Sequence, residues 1–273
     1  MDALPAAQRG DRDEYVRRRT GGLRTHGMST MKRAGEKICA WGGVAFSIMF
    51  FLGFMVVARF IPPLSPDDTA AAIAAIYRER TQSIRTGVLL GFIGTIFLMA
   101  FGAAIAGQTR RIRGVSQTIV YIQVASVAVA VVMVVMPMPG WWTAAFRPEL
   151  WSDQTILLLN DYSWIIFVIG FVPFVAFFAA TGFAILSDEG DRPLYPRWAG
   201  YLSVFLGTVQ MSAAPLVYFK DGPFSWNGLI AFWMPVVEFF TWFIVFTVLT
   251  LKAIDSDYDD PRIATSQAAC PPL

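Results

Sequence analysis

Residues 86–107 read TGVLLGFIGTIFLMAFGAAIAG, a run of 22 positions without a charged side chain. A helix rises about 1.5 Å per residue, so this run is long enough to cross the hydrocarbon core of a bilayer, which is about 30 Å thick. Apart from closed barrels, only helices satisfy all their backbone hydrogen bonds there. Five further runs share this apolar character. The six predicted spans are residues 39–61, 86–107, 116–136, 156–186, 198–219 and 228–252.

The composition agrees with a membrane protein. Hydrophobic residues make up 55% of the chain and charged residues 15%, whereas soluble proteins carry about 25% charged residues. The mean hydropathy is +0.51. We therefore predict an all-α fold, a polytopic membrane helix bundle with six transmembrane helices and a short external amphipathic helix. Six spans leave no stretch for a separate soluble domain.

Both chain ends are polar and lack apolar periodicity, which is typical of disorder. The segment MSTMKRAGEK, directly before the first apolar run, resembles a natural cytoplasmic leader. Met28 or Met31 is therefore an alternative start to Met1. The predicted parts are a disordered cytoplasmic leader at 1–37, a six-helix transmembrane domain at 38–254 and a disordered cytoplasmic tail at 255–273.

The arginines and lysines predict the orientation of the bundle, because cytoplasmic loops carry an excess of these residues. With the N-terminus inside, sixteen of the 22 cations lie on the cytoplasmic side and six on the other. An even number of spans returns the C-terminus to the same side. We predict a multi-pass protein of the plasma (inner) membrane of a bacterium, with both termini in the cytoplasm.

The segment LSPDD, residues 64–68, predicts the start of the external helix. Ser65 is a candidate N-cap and Pro66 suits the first helical position. Ile73 and Tyr77 then recur at helical spacing. Two interpretations remain open, a helix lying on the membrane surface and a packed extracellular cap.

Two further irregular features are predicted on the same basis. Pro173 favours a kink near the middle of the fourth apolar run. Residues 136–151, rich in Pro and Trp, are predicted to form an outer loop whose Trp141, Trp142 and Trp151 lie among the headgroups.

The chain offers few metal-binding or nucleophilic residues. Cys39 and Cys270 are the only cysteines and His26 is the only histidine, so neither a disulfide framework nor a histidine or thiolate metal site is indicated. No phosphate-binding glycine loop or Ser–His–Asp triad is present. We therefore predict no metal, no cofactor and no nucleic-acid partner. The cluster from Arg110 to Arg113 is interpreted as a topology determinant that contacts anionic lipid.

Glu238 is the sharpest candidate for a functional residue. It lies about ten residues, or about 15 Å, from either end of the last span, and carboxylates at this depth usually face the bundle interior. Gln210 lies at similar depth in the fifth span and is the expected partner. A hydrogen bond that only holds two helices together is the alternative role for Glu238. Pro235, one turn earlier, is expected to free the carbonyl of Ala231.

Charged residues at the outer helix ends form a second group of candidates. Arg59, Arg85, Asp161 and Lys220 are expected in one layer, either as a charged vestibule or as snorkelling anchors, with Arg59 and Asp161 as the pair to test. Gln123 is expected to make an interhelical hydrogen bond.

Aromatic residues within the spans are a third group. They either line a cavity for a flat apolar ligand or simply pack and face lipid. The residues concerned are Trp164, Trp233, Trp242, Phe239, Phe240 and Phe243.

Three segments carry a resemblance to a known group. PPLSPDDTAAAIAAIY (62–77), YPRWAGYL (195–202) and FKDGPFSWNGLIAFWMP (219–235) are similar to segments of small six-helix membrane proteins of unassigned function in actinobacteria and proteobacteria. The resemblance spans about residues 38–254. It implies the six-span topology and supplies no activity or functional residues.

Three functions follow from these observations. The first is a module that binds or transports a small hydrophobic or weakly acidic molecule, with Glu238 and Gln210 at the bundle centre and Asp161 and Arg59 near its outer mouth. The second is a non-catalytic accessory subunit that contacts a membrane protein partner, with pairing to a second copy of the chain also open. Its contact surface would be the small-residue face around Gly87 and Gly91 (residues 87–91). A membrane enzyme is ranked last, because the spans lack histidines, reactive cysteines and clustered carboxylates.

Overall fold

The computed structural model describes residues 30–258, which form helices joined by turns and short loops. The predicted leader through residue 29, with His26, and the tail from residue 259, with Cys270, lie outside the described residues. The helices are α1 Thr30–Val57, α2 Ala70–Glu79, α3 Thr81–Thr109, α4 Gln117–Val135, α5 Met138–Phe146, α6 Asp153–Ile169, α7 Val172–Leu186, α8 Arg197–Val209 and α9 Met234–Tyr258.

Six helical stretches are long and apolar enough to cross a membrane, which confirms the predicted bundle. Two of them are helix pairs, α4 with α5 and α6 with α7, and the first and the last two contain short non-α segments. The protein is thus an integral, multi-pass membrane protein. The stretches are Thr30–Val57, Thr81–Thr109, Gln117–Phe146, Asp153–Leu186, Arg197–Val217 and Gly222–Ser256.

The start of α1 and the end of α9 lie on the same side of the bundle, which we name the terminal side. Asp255 Oδ1 accepts from Arg33 Nη2 at 2.6 Å and lies 2.7 Å from Lys37 Nζ. Residues 30–37, which were predicted as part of the disordered leader, are helical, and Arg33 and Lys37 contact α9. The opposite side, which carries α2, is the cap side.

Helix α2 packs into the protein instead of lying on a membrane surface. Ile73, Ala74 and Tyr77 are fully buried, and Arg78 Nη2 pairs with Asp153 Oδ1 at 2.7 Å. The packed cap is therefore the correct alternative. The predicted helix start was wrong by a few residues, because Thr69 is the N-cap and its side chain accepts from the Ala72 N–H.

The predicted outer loop at 136–151 is largely helical. Residues Met138–Phe146 form α5, which follows α4 after a break at Pro137. Trp142 Nε1 donates to the Arg85 carbonyl at 3.1 Å and ties α5 to the first turns of α3. Trp141 is fully buried, so its predicted headgroup position was wrong.

Glycines bring α1 and α3 into close contact. A Cβ at Gly87 would collide with the carbonyl of Gly53, and a Cβ at Gly91 would collide with the ring of Phe54. The small-residue face of α3 is therefore filled by α1 of the same chain. This overturns the expectation that residues 87–91 form a surface for another protein.

Candidate functional site

A cavity of about 90 Å³ lies among α1, α4, α6, α7 and α9, and it is partly open to the surface of the bundle. Its walls are almost wholly apolar, with Gln210 as the polar side chain among the residues that line it. Half of the sixteen lining residues are phenylalanines. These phenylalanines are Phe46, Phe50, Phe167, Phe171, Phe174, Phe232, Phe239 and Phe240.

Three interruptions of the helical backbone meet at this cavity. Helix α6 ends and α7 begins around Gly170, α8 changes to a 3₁₀ helix at Gln210, and a π-helical turn at Leu229–Trp233 precedes α9. Irregular backbone at membrane depth is tolerated where it is enclosed by protein or lines a cavity. The expected kink near Pro173 is thus a full break, and it lies just before the proline because proline suits the first turn of the following helix.

Side chains of the 3₁₀ segment meet the backbone of the π turn and of α9. Ser212 Oγ donates to the Ile230 carbonyl at 3.0 Å, and Gln210 Nε2 lies 3.5 Å from the Pro235 carbonyl. Pro235 is the second residue of α9 and not a kink within a continuous helix. These two contacts join the 3₁₀ segment to the last span.

Glu238 is the buried acid next to this cavity, although it is not one of the sixteen lining residues. It is 6% exposed, and neither carboxyl oxygen has a partner among residues 30–258. Gln210 is close enough to act on the carboxyl, as expected from its depth, although no bond of normal length joins the two side chains. Phe239 and Pro235, next in sequence and one turn earlier, both line the cavity.

Asp161 and Arg59 lie apart from this pair. Asp161 belongs to a chain of hydrogen bonds in which Tyr77 donates to Asn160 and Asn160 donates to Asp161, each at 3.1 Å. Arg59 is exposed, with a backbone φ of 54°. The two residues form no ion pair, and neither lines the cavity. Burial, and to a lesser extent the Asp161 charge, raises the pKa of Tyr77 well above its ordinary value.

Gln123 makes the interhelical hydrogen bonds expected of it. Its Oε1 accepts from Thr109 Oγ1 at 2.7 Å, and its Nε2 donates to Thr181 Oγ1 at 2.9 Å. Thr181 in turn donates to the Phe177 carbonyl at 2.8 Å. We name Thr109, Gln123 and Thr181 the Gln123 triad; all three are fully buried. The triad joins α3, α4 and α7.

The aromatic residues divide between the two expected roles. Trp164 and Trp242 are fully buried and pack, with the Trp242 ring stacked 4.1 Å from Phe178. Phe239 and Phe240 line the cavity. Phe46 and Phe50 of α1 also line it, and their four-residue spacing is the sequence signal from which this could have been predicted.

The arrangement can bind an apolar molecule and offer it a hydrogen bond. Within residues 30–258, no group of three His, Cys, Asp or Glu side chains could hold a metal ion. Glu238 and Gln210 supply one carboxyl and one amide. They include no nucleophile paired with a base.

Comparison of the chain with family models, with characterised proteins and with solved structures finds no match.

Proposed function

We propose that this protein binds a small hydrophobic or weakly acidic molecule in the cavity beside Glu238 and Gln210. The observation that carries the proposal is the carboxyl of Glu238, which is 6% exposed and has no hydrogen-bond partner among residues 30–258, next to an aromatic cavity that is partly open. A buried polar group without a partner costs about 1–3 kcal/mol. A ligand that offers it a hydrogen bond would recover that energy.

The walls of the cavity define the chemistry of this ligand. Aromatic rings on several sides favour a compact, apolar body, since burial of apolar surface contributes about 25 cal/mol per Å². Gln210 lines the cavity and donates or accepts one hydrogen bond, and Glu238, which lies outside the lining, is the neighbouring polar group. A small ring or short chain with one hydroxyl, amide or carboxyl group fits these requirements.

Movement of the ligand across the membrane is a second candidate, favoured by the interrupted helices. Several transporter folds bind their substrates near the bilayer midplane at such interruptions. Here the breaks at Gly170, Gln210 and Leu229–Trp233 meet at one cavity. We further propose the plasma (inner) membrane as its location, with the terminal side in the cytoplasm, on the support of the sixteen cations predicted there. Membership of the small six-helix bacterial group is part of this proposal.

Two neighbouring valines provide a matched test of the cavity. Val236 lines it, whereas Val237 is 63% exposed on the bundle surface. Val236→Trp fills the cavity and is expected to abolish ligand binding, and Val237→Trp is expected to leave binding intact. Native mass spectrometry of each purified protein identifies retained small molecules, and equilibrium dialysis with indole and benzoic acid as probes measures binding directly.

Retention of the same molecule by the Val236→Trp and Val237→Trp proteins would contradict the proposal. So would the failure of wild-type protein to retain any molecule or bind either probe. Circular dichroism of each variant shows whether the helical fold is preserved.

A further inference from the structure

A second pocket, separate from the aromatic cavity, lies on the cap side between α3 and α5. It has a volume of about 460 Å³ and is open to the surroundings. Its lining combines polar and apolar side chains, and none of them is acidic. The residues are Gln82, Arg85, Thr86, Leu89, Trp142 and Phe146.

One arginine, Arg85, lines this pocket, and a second, Arg147, lies next to its Phe146 wall. The guanidinium carbons of Arg85 and Arg147 each lie 5.4 Å from the centroid of the Phe146 ring. Neither arginine forms an ion pair with another residue of the described segment. Their positive charges have no anionic partner there, so an anion bound beside them would be stabilised.

The pocket continues into an apolar stripe along α3. Leu89, Phe92, Ile93 and Ile96 recur at helical spacing and are 46%, 38%, 41% and 64% exposed. They lead from the arginines toward the middle of the span. An exposed apolar stripe of this kind on a membrane helix faces lipid chains.

The position of the pocket on the cap side and the positive charge of Arg85 and Arg147 together indicate which molecule binds there. We propose that this pocket binds an anionic phospholipid of the cap-side leaflet. Its phosphate lies at Arg85, where Gln82 and Thr86 are further donors and Arg147 adds positive charge nearby, and its acyl chain lies along the stripe from Leu89. Guanidinium groups suit phosphate oxygens because they offer paired donors in one plane. The Phe146 ring keeps both guanidinium groups in place.

The test compares two lipids with identical acyl chains. Purified protein in mild detergent is titrated with phosphatidylglycerol or with phosphatidylcholine, and bound lipid is counted by native mass spectrometry. We expect phosphatidylglycerol to bind more tightly. Each of Arg85→Gln and Arg147→Gln should weaken its binding about tenfold, and the double variant should bind both lipids equally. Lys220→Gln removes an exposed cap-side cation outside the pocket and should change nothing.

Two results would overturn the proposal. One is equal preference for phosphatidylglycerol in the wild type and in the double variant. The other is complete displacement of the lipid by inorganic phosphate, which would assign the pocket to a free oxyanion. Arg147 is exposed at the end of α5, so its single variant is expected to fold and keeps the test interpretable if Arg85→Gln does not.

Discussion

The Gln123 triad and the Glu238 site are both buried and polar, but they differ in how their hydrogen bonds are satisfied. Each side chain of the triad has a partner at 2.7–2.9 Å. Both oxygens of Glu238 lack one among the described residues. The triad also lies within regular helices, whereas Glu238 lies next to three helix interruptions. A satisfied network is explained by its contribution to folding, and an unsatisfied group beside a cavity is better explained by a ligand.

The largest effect in this comparison is expected from breaking the triad. Gln123→Leu leaves Thr109 and Thr181 without their shared partner, so the free energy of unfolding should fall by about 2 kcal/mol. Unfolding in mixed micelles with increasing sodium dodecyl sulfate, followed by circular dichroism, measures the change. Gln117→Leu makes the same substitution at an exposed residue of the same helix and should have little effect. Equal losses in both variants would show that the triad does not stabilise the bundle.

A smaller effect is expected at the cap, where Tyr77 donates to Asn160 at 3.1 Å. Tyr77→Phe removes one hydrogen bond and keeps the packing of the ring, so the free energy of unfolding should fall by about 1 kcal/mol. Tyr162→Phe, at a residue that is 47% exposed on the same bundle, is the control. If the two variants are equally stable, the cap hydrogen bond contributes nothing.

The same variant also makes a prediction about pH. Because the pKa of Tyr77 is raised in the folded protein, the folded state holds its phenol proton more tightly than the unfolded state. The advantage of the wild type over Tyr77→Phe should therefore be constant below the ordinary tyrosine pKa, and it should decrease as the pH rises above that value. If the stability advantage of the wild type over Tyr77→Phe increased at alkaline pH, the raised pKa of Tyr77 would be contradicted.

The six spans could be predicted because a bilayer imposes length and apolarity on every crossing. The ends of the helices could not be predicted. Polar residues such as 30–37 and 81–85 continue their helices, and hydropathy gives no signal for them. Of the helix interruptions, those near Pro173 and Pro235 were indicated by a proline in the sequence. The π-helical turn at Leu52–Val57, which ends α1, is as apolar as the helix before it and gave no such signal.

The depth of the candidate site could also be predicted, but its composition could not. Position along a span indicates depth, and this placed Glu238 near Gln210 correctly. Which residues face each other depends on the rotation of each helix about its axis, and a nearly uniform apolar helix gives no signal for that rotation. For this reason the expected pairing of Arg59 with Asp161 did not form, and the phenylalanines of α1 were not anticipated.

The smallest change in stability is expected for Glu238→Leu. The sign of this change distinguishes the Glu238 site from the Gln123 triad. Because the carboxyl makes no hydrogen bond among the described residues, Glu238→Leu removes an unsatisfied polar group without leaving a partner unpaired. The free energy of unfolding should stay constant or rise by about 0.5–1 kcal/mol, in contrast to the loss expected for Gln123→Leu. The same sodium dodecyl sulfate titration measures it, with Glu238→Gln as the variant of similar shape. A loss of stability would assign Glu238 to the structural class of the triad. Unchanged or higher stability, combined with the loss of binding in equilibrium dialysis, would instead identify a residue kept for its ligand at the expense of the fold.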